Sequence, residues 1–550
     1  MKIVTAKYET IEKYKQVYSH ILHLENYSEK EYYRQKHSRN ISIEWIEMED
    51  EIYGLVKKKD CTNFIKNGME SILLSLYYSE ECDDTFRGSM NILNDDYYII
   101  YISNFQSILL KHQVFYIHLV HNDHQFKNKS EALNAFINKS FSSQLKKILL
   151  GNVRHNISIN YKNLPEDFSV EKICKLNNSQ KMAVKSSMTT PVTIIQGPPG
   201  TGKTKTAATL IYHLSLYKGN ILVCAPSNVA VDNLAEALDK AGVNVVRIFS
   251  RSARRKSKLK NLDIYQKIFE MYPFLKKYEK MKMKGILNKS ENKILRNWYF
   301  KKLKKASYYI FQKIKIVCAT CHSANNIMIS DMTFNTVLID ESTLGTELDC
   351  LVPIVKGCVR LILVGDQHQL QPIIKNQALV ELGYDMSMFE RLLLAGIKPV
   401  LLDTQYRMHP GLIEFSAKSF YKNKLYSGIS KSDRSNIKNL KWFNKNLPLL
   451  FWNTVGIEMM MNKSYYNLSE IKRIIIILFH LFEKGVESTN IGVISSYKSQ
   501  TVYIKTYIDL NFPEYDLWIY FKDAKKILSF FQLLGPMMMT KWGFCRIIDD

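Results

Sequence analysis

No run in this chain is long and apolar enough to cross a bilayer. The longest greasy stretch, Ile474 to Phe479, covers six residues, where about 20 are needed. The opening residues, Met1-Lys2-Ile3-Val4-Thr5-Ala6-Lys7, lack the apolar core of a secretory signal. Nine cysteines are scattered without the paired spacing of a disulfide framework, which suits a reducing cytosol or nucleus, with the cytoplasm the expected location. No repeat of 20–50 residues is visible, which excludes a solenoid or propeller. Carboxylates are also short: 52 Asp and Glu face 76 Lys and Arg, a net charge of +24. What remains is a non-membrane globular chain whose 550 residues suffice for two to four domains.

The positive charge is concentrated. From Arg251 through Lys305 there are 19 Lys/Arg against 4 Asp/Glu, interleaved with Tyr265, Tyr272, Tyr278, Trp298 and Tyr299. Basic charge mixed with aromatic faces is the footprint expected beside a polyanion, with nucleic acid the leading partner.

Patterning divides the chain into four regions. Residues 1–170 read as a helical stalk, Met1 to Tyr33, followed by a small β-domain. Its strands are expected within Ile41 to Val56, Tyr97 to Ile102 and Val114 to Val120. Residues 171–399 alternate short apolar runs with helical segments. The expected strands are Val192–Ile195, Ile221–Cys224, Val245–Ile248, Ile316–Ala319, Val337–Ile339 and Leu361–Val364, as in a parallel sheet covered on both faces. The basic segment, about 251–310, interrupts that series as a helical insertion. A second α/β block spans 400–512, with Ile491 to Ile494 as a strand, and 513–550 forms an unassigned tail.

Chemistry enters at Gln196-Gly-Pro-Pro-Gly-Thr-Gly-Lys-Thr-Lys-Thr206. Gly197, Gly202, Lys203 and Thr204 fill the defined positions of G-x-x-x-x-G-K-[ST], with Pro198, Pro199, Gly200 and Thr201 between them. Glycines let successive N–H groups converge on phosphate oxygens without obstruction by Cβ atoms. Lys203 supplies a charge to the β/γ-phosphates, the Thr204 hydroxyl suits Mg²⁺, and the following helix adds its positive end. ATP and Mg²⁺ are the cofactors this predicts.

Three further clusters follow strand candidates. Thr336 to Ser342 is a hydrophobic run ending in Asp340 and Glu341; the first can hold the metal and the second can orient and deprotonate water. The loop Gly365 to Pro372 lies at the carboxyl edge of the sheet, where the Gln369 amide can sense the γ-phosphate without titrating. In Gln405-Tyr406-Arg407-Met408-His409-Pro410, Arg407 suits an arginine finger and Tyr406 offers a face for adenine. Cys318-Ala-Thr-Cys321-His322 has the C-x-x-C-H spacing of haem attachment. It follows a buried strand with no export signal, so Thr320 as a phosphate-backbone contact is the better reading.

Together these segments resemble the superfamily 1 helicases, and more narrowly the up-frameshift RNA helicases of nonsense-mediated mRNA decay. The likeness rests on Leu176 to Gln180, the P-loop, Ala225 to Asp232, Leu338 to Thr343 with Cys350 to Pro353, Gly365 to Pro372 and Gln405 to Pro410. It implies two RecA-like domains with ATP between them and single-stranded RNA, or DNA, across their top, in a monomer that meets mRNA-decay proteins. By motif, Gln180 would read the adenine edge, Pro226, Ser227, Asn228 and Thr320 would touch the nucleic-acid backbone, and Gln369 would couple the γ-phosphate to closure. Two departures stand out. Before Cys174 only Cys61 and Cys82 are present, too few for the family's Cys/His-rich zinc domain. The likeness also fades near residue 510, before the family's last motifs and second arginine finger, as in a truncated or frameshifted reading of the gene. The second domain is therefore expected to be incomplete and turnover to be low. The alternatives are an ATP-binding RNA clamp and a related DNA helicase.

Overall fold

The computed structural model describes residues 3–512 and 518–521, apart from 36, 49–50, 62–69, 77–84, 94–95, 103–108, 111–113, 120–122, 139–141, 159–163, 218, 251–252, 255–256, 284–288, 435–446 and 462–463. Among the described residues, no helix is long and apolar enough to cross a membrane.

The chain begins with the helix Ile11–Arg34, capped by the Thr10 hydroxyl, which accepts from the Lys13 amide. Seven antiparallel strands follow: β1 (His37–Ser42), β2 (Glu44–Met48), β3 (Glu51–Lys57), β4 (Glu70–Leu76), β5 (Thr85–Ile92), β6 (Tyr97–Ile102) and β7 (Val114–Leu119). Their order is β1-β7-β4-β5-β6-β3-β2. Only Ile43 separates the two edge strands, so the sheet must curl until its edges meet. Alternate residues of β6 and β7 point inward, joining Ile41, Val56, Leu74 and Met90 in one core. The expected strands are all present; β4 and β5 fall where none was expected.

The centre of the molecule is a second seven-stranded sheet, entirely parallel, in the order β10-β11-β9-β12-β13-β8-β14. Its members are β8 (Val192–Gln196), β9 (Ile221–Ala225), β10 (Val245–Ile248), β11 (Ile316–Thr320), β12 (Thr336–Ile339), β13 (Arg360–Gly365) and β14 (Val400–Leu401). The six strands anticipated from apolar runs are there, each within two residues of its expected ends. Successive residues alternate between two cores: Ile194, Leu222, Cys224 and Ile339 face one side, Ile195, Val223, Ala225 and Leu338 the other. Both faces are covered by helices, so the strands are mostly apolar on both sides, and among their few polar members Thr193, Gln196, Arg247, Thr320 and Thr336 are buried.

Helices Asn178–Thr189, Lys203–Ser215 and Asn228–Lys240 cover one face. On the other lie helix Glu347–Ile354, the basic insertion and the stalk, whose Tyr14, Tyr18 and Ile21 belong to the same core as Phe136 and Leu348. The insertion is helical, as expected, with helices Ile264–Met271, Pro273–Met283 and Lys289–Lys313. A buried ion pair ties stalk and sheet together. The Arg391 guanidinium meets both Glu347 oxygens at 2.9 and 2.7 Å, the Tyr14 hydroxyl donates to Glu347 at 2.9 Å, and Arg391 also donates to the carbonyls of Ala6 and Leu149.

The chain leaves the central sheet after β14. Thr404–Gln405 (β15) pairs with Tyr426–Ser427 (β16) around the helix Pro410–Phe420. A hairpin, Glu458–Met461 (β17) with Ser464–Asn467 (β18), precedes helices Leu468–Glu483 and Lys498–Asn511. Gly492–Ser495 (β19) and Trp518–Phe521 (β20) pair in parallel. Part of the segment set apart as a tail is thus a strand of the second block; residues 522–550 lie outside the described residues.

Candidate nucleotide site and nucleic-acid edge

All the catalytic candidates of the first block leave the central sheet at one edge. β8 ends at Gln196 and β13 at Gly365, which pair in register, while β12 ends beside Cys224 of β9. Parallel strands in register therefore deliver the P-loop, Asp340-Glu341 and the Gly365–Pro372 loop side by side.

The P-loop owes its shape to glycines at particular points. Gly200 and Gly202 adopt φ +79°, a left-handed backbone that disfavours any side chain. A Cβ at Gly197 would fall 2.2 Å from Cγ of Lys203, whose stem lies across the glycine. That stem carries Nζ to 2.8 Å from the Gly197 carbonyl and 3.8 Å from a Glu341 oxygen. The Thr201 hydroxyl donates to the Pro198 carbonyl at 2.7 Å and stiffens the turn. Thr204 lies in the first turn of the helix that begins at Lys203.

The acid pair is strained as well as charged. Glu341 adopts φ +47°, a conformation costing a non-glycine residue about 1–2 kcal/mol, and its amide donates to Asp340 at 2.9 Å. Asp340 is buried, and its carboxyl is pushed up to about 6, first by burial and then by the Glu341 charge, with Lys203 opposing. A buried carboxyl beside a second carboxylate is an oxygen donor set that suits a hard divalent cation. Thr204 and Asp340 are the residues that would hold it.

The second block reaches over this loop. The Tyr406 amide donates to the Gly200 carbonyl at 2.9 Å, and a Cβ on Gly200 would strike Cβ of Arg407 at 2.6 Å. Gly200 is therefore needed twice, for its backbone angle and for this close approach. Gln405 fixes the turn, accepting from the amides of Arg407 and Met408. The Arg407 side chain is exposed above the loop. Arg434, not foreseen from sequence, donates to the carbonyls of Tyr406 and Arg407 at 3.2 and 3.1 Å. An isolated Arg carries no motif, so nothing local marks it.

Gln180 and Tyr406 come together through Asn177. Asn177 donates to the Tyr406 hydroxyl at 2.9 Å; Gln180 accepts from the Asn177 amide at 3.1 Å and donates to the Thr201 carbonyl at 2.9 Å. Gln180 is thus a buried brace between a helix cap and the P-loop, so reading an adenine edge would mean releasing one of these bonds. Gln369 is likewise engaged, donating to Asp366 at 2.8 Å.

The nucleic-acid candidates occupy the same edge further along. Thr320 pairs with Ala225 in the sheet, which brings it beside Pro226, Ser227 and Asn228. Each polar side chain already has a local partner. Ser227 caps its own helix through the Ala230 amide, Asn228 accepts from Arg247 at 3.0 Å, and Thr320 donates to Ser323 at 2.9 Å. Ser227 and Asn228 remain exposed, whereas Thr320 is largely covered. Cys318 and Cys321 are fully buried, and burial pushes the Cys318 thiol up to about 12, away from ligand chemistry.

Comparison with known proteins agrees with this layout. A family described as AAA domain matches residues 175–282 and 272–377, and a second of the same description matches 384–521. The ATP-dependent helicase NAM7 of Saccharomyces cerevisiae is 39% identical over 399 residues, 70% of this chain and 40% of that protein. Regulator of nonsense transcripts 1 of Caenorhabditis elegans is 36% identical over 410 residues, 73% of this chain and 38% of that protein. The chain spans about two fifths of the length of these curated relatives. Among solved structures, an arterivirus nonstructural protein 10 helicase aligns with TM-score 0.29 at 9% identity, over 72% of this chain and 59% of that one, too slight a likeness to bear on the reading.

Proposed function

We propose, from the premise that this chain is a homologue of the helicases named regulator of nonsense transcripts 1, that it is an ATP-dependent RNA helicase of superfamily 1. It would act as a monomer in the cytoplasm, on single-stranded RNA, in nonsense-mediated mRNA decay with mRNA-decay proteins. The observation that carries this reading is the convergence on one point of Lys203, 2.8 Å from the Gly197 carbonyl, Glu341 at 3.8 Å and the Arg407 backbone above Gly200.

When bound, ATP would supply the transferable phosphoryl and its leaving group, and magnesium would supply positive charge beside them. Lys203 neutralises the β/γ-phosphates, and the P-loop amides from Gly197 to Thr204 orient them. Thr204 and Asp340 would hold the metal. Glu341 takes the proton of the attacking water, and Arg407 meets the charge that develops on the transferring phosphoryl. Gln180 and Tyr406 bracket the base, and Gln369 reads the γ-phosphate. Pro226, Ser227, Asn228 and Thr320 line the backbone path, where contacts carry little sequence information and weaken with salt.

A second reading, an ATP-binding RNA clamp with little turnover, is favoured by one feature: among the described residues the second block carries only two-stranded sheets, β15-β16, β17-β18 and β19-β20. Hydrolysis by the 550-residue chain with and without poly-uridylate tests both. A motor shows RNA-stimulated turnover that Glu341→Gln abolishes while RNA binding persists. A clamp binds both ligands and changes little in that variant. Failure to bind ATP at all would sink both.

A further inference from the structure

The Asp366 carboxylate lies at the meeting of three functional segments and is 1% exposed. One oxygen accepts from Gln369 at 2.8 Å and from the Tyr421 hydroxyl at 2.7 Å. The other accepts from Gln196, the last residue before the P-loop, at 3.4 Å and from the His368 amide at 3.3 Å. Tyr421 comes from the second block, just past the helix Pro410–Phe420, whose other end is capped by His409, two residues after Arg407. One helix thus has Arg407 just before its start and a bond to the Gly365–Pro372 loop just past its finish.

Tyr421 is held firmly in that place. It is 4% exposed, and its ring meets His368 edge-on at 5.3 Å. The two residues after it, Lys422 and Asn423, take φ +51° and +58°, and the Asn423 amide closes onto the Ala417 carbonyl at 2.9 Å. Two consecutive left-handed residues without glycine are a strained way to end a helix, and they set the direction in which Tyr421 leaves it. Burial and the Asp366 charge keep the phenol protonated, so the hydroxyl is a permanent donor.

We propose that Tyr421 is the positioning residue through which the second block senses whether the γ-phosphate place is filled. The inference rests on the helicase reading, in which Gln369 turns towards that phosphate. When it does, one Asp366 oxygen loses one of its two donors, and Tyr421 becomes its remaining partner from a side chain. A charge-assisted hydrogen bond strengthens as its competitor leaves. The helix Pro410–Phe420 is then drawn onto the loop, and Arg407 at its other end is drawn with it. Without nucleotide the carboxylate is shared, and the second block is held less tightly.

The test needs no hydrolysis. In the full chain, the affinity for a fluorescent oligo-uridylate is measured alone, with ADP and with a non-hydrolysable ATP analogue, for the unaltered protein and for Tyr421→Phe. The phenylalanine keeps the ring against His368 and removes only the hydroxyl. The unaltered chain should show RNA affinities differing by about tenfold between the ATP-like and ADP states, within the usual range of coupling. Tyr421→Phe should bring that ratio to about one while each ligand alone binds within about twofold of normal. His368→Ala, which removes the ring contact but not the bond, should keep the ratio. A ratio that survives in Tyr421→Phe overturns the proposal. A ratio of one in the unaltered chain overturns it too, yet leaves the helicase reading standing. Failure of the unaltered chain to bind either ligand takes down both.

Discussion

Along β8, every residue from Val192 to Gln196 is buried, whereas β19 alternates exposed and buried from Gly492 to Ser495. Both are parallel strands, and a parallel strand is ordinarily covered on both faces. The first sheet meets that condition with two separate cores. The second has one small cluster built on Ile471, Ile474, Leu478, Val493, Ile504 and Ile508, and it leaves Ile494 47% exposed. The groups proposed to bind and split a nucleotide therefore stand on the well-packed side. Arg407, Arg434 and Tyr421, which would answer to it, come from the second block, whose sheet is covered less fully.

Four experiments break or sharpen this contrast. The largest effect is expected from Arg407→Ala. Turnover should fall by about 10³–10⁵-fold relative to the unaltered chain, while a fluorescent nucleotide still binds. A comparable loss of nucleotide affinity would show the second block to be part of the binding site itself. Next comes Arg391→Met, which strands the buried Glu347 charge and should cost about 3–5 kcal/mol in urea unfolding of the first block. Restoring most of that with Glu347→Leu added would identify the stranded charge as the cause.

The third concerns pH. The Asp340 carboxyl is raised from an ordinary 3.8 to about 6 by burial, so the folded chain binds that proton more tightly than the unfolded one. Stability from this group is present below pH 3.8, is lost as pH rises towards 6, and stays lost above. Asp340→Asn should flatten that slope and raise stability at pH 7 by up to about 3 kcal/mol, read by thermal unfolding without nucleotide across pH 4–8. An unchanged slope would refute the assignment. Last, Val223→Ala in β9 should cost about 2–3 kcal/mol and Val493→Ala in β19 about 1 kcal/mol. Equal costs would mean that the second sheet is better covered than its described residues show.

Much of this was legible beforehand. The central strands were visible as apolar runs because burial on both faces forbids polar alternation. The P-loop and the acid pair were visible because phosphate and metal chemistry demand particular residues at fixed spacing. The strands Glu70–Leu76 and Thr85–Ile92 were not: Ser71, Ser75, Arg87 and Ser89 dilute the pattern. Gln180 was legible as a motif residue, but its place as a brace under Thr201 depends on a residue 21 positions away. Arg391 and Glu347 belong to no sequence motif, and only packing, with Tyr14 arriving from 333 residues earlier, makes them a buried hub.

Residue order was enough to point to the local chemistry: glycines where amides could converge, a lysine and a threonine where phosphate and metal would be met, carboxylates after a buried strand. These follow from neighbours a few positions apart, which the chain carries with it unfolded. Folding alone decided which distant groups share a charge. Asp366 holds Tyr421 across 55 residues, and the Arg407 stem rests on Gly200, because such contacts arise from the packing of whole elements, which no short window of sequence contains.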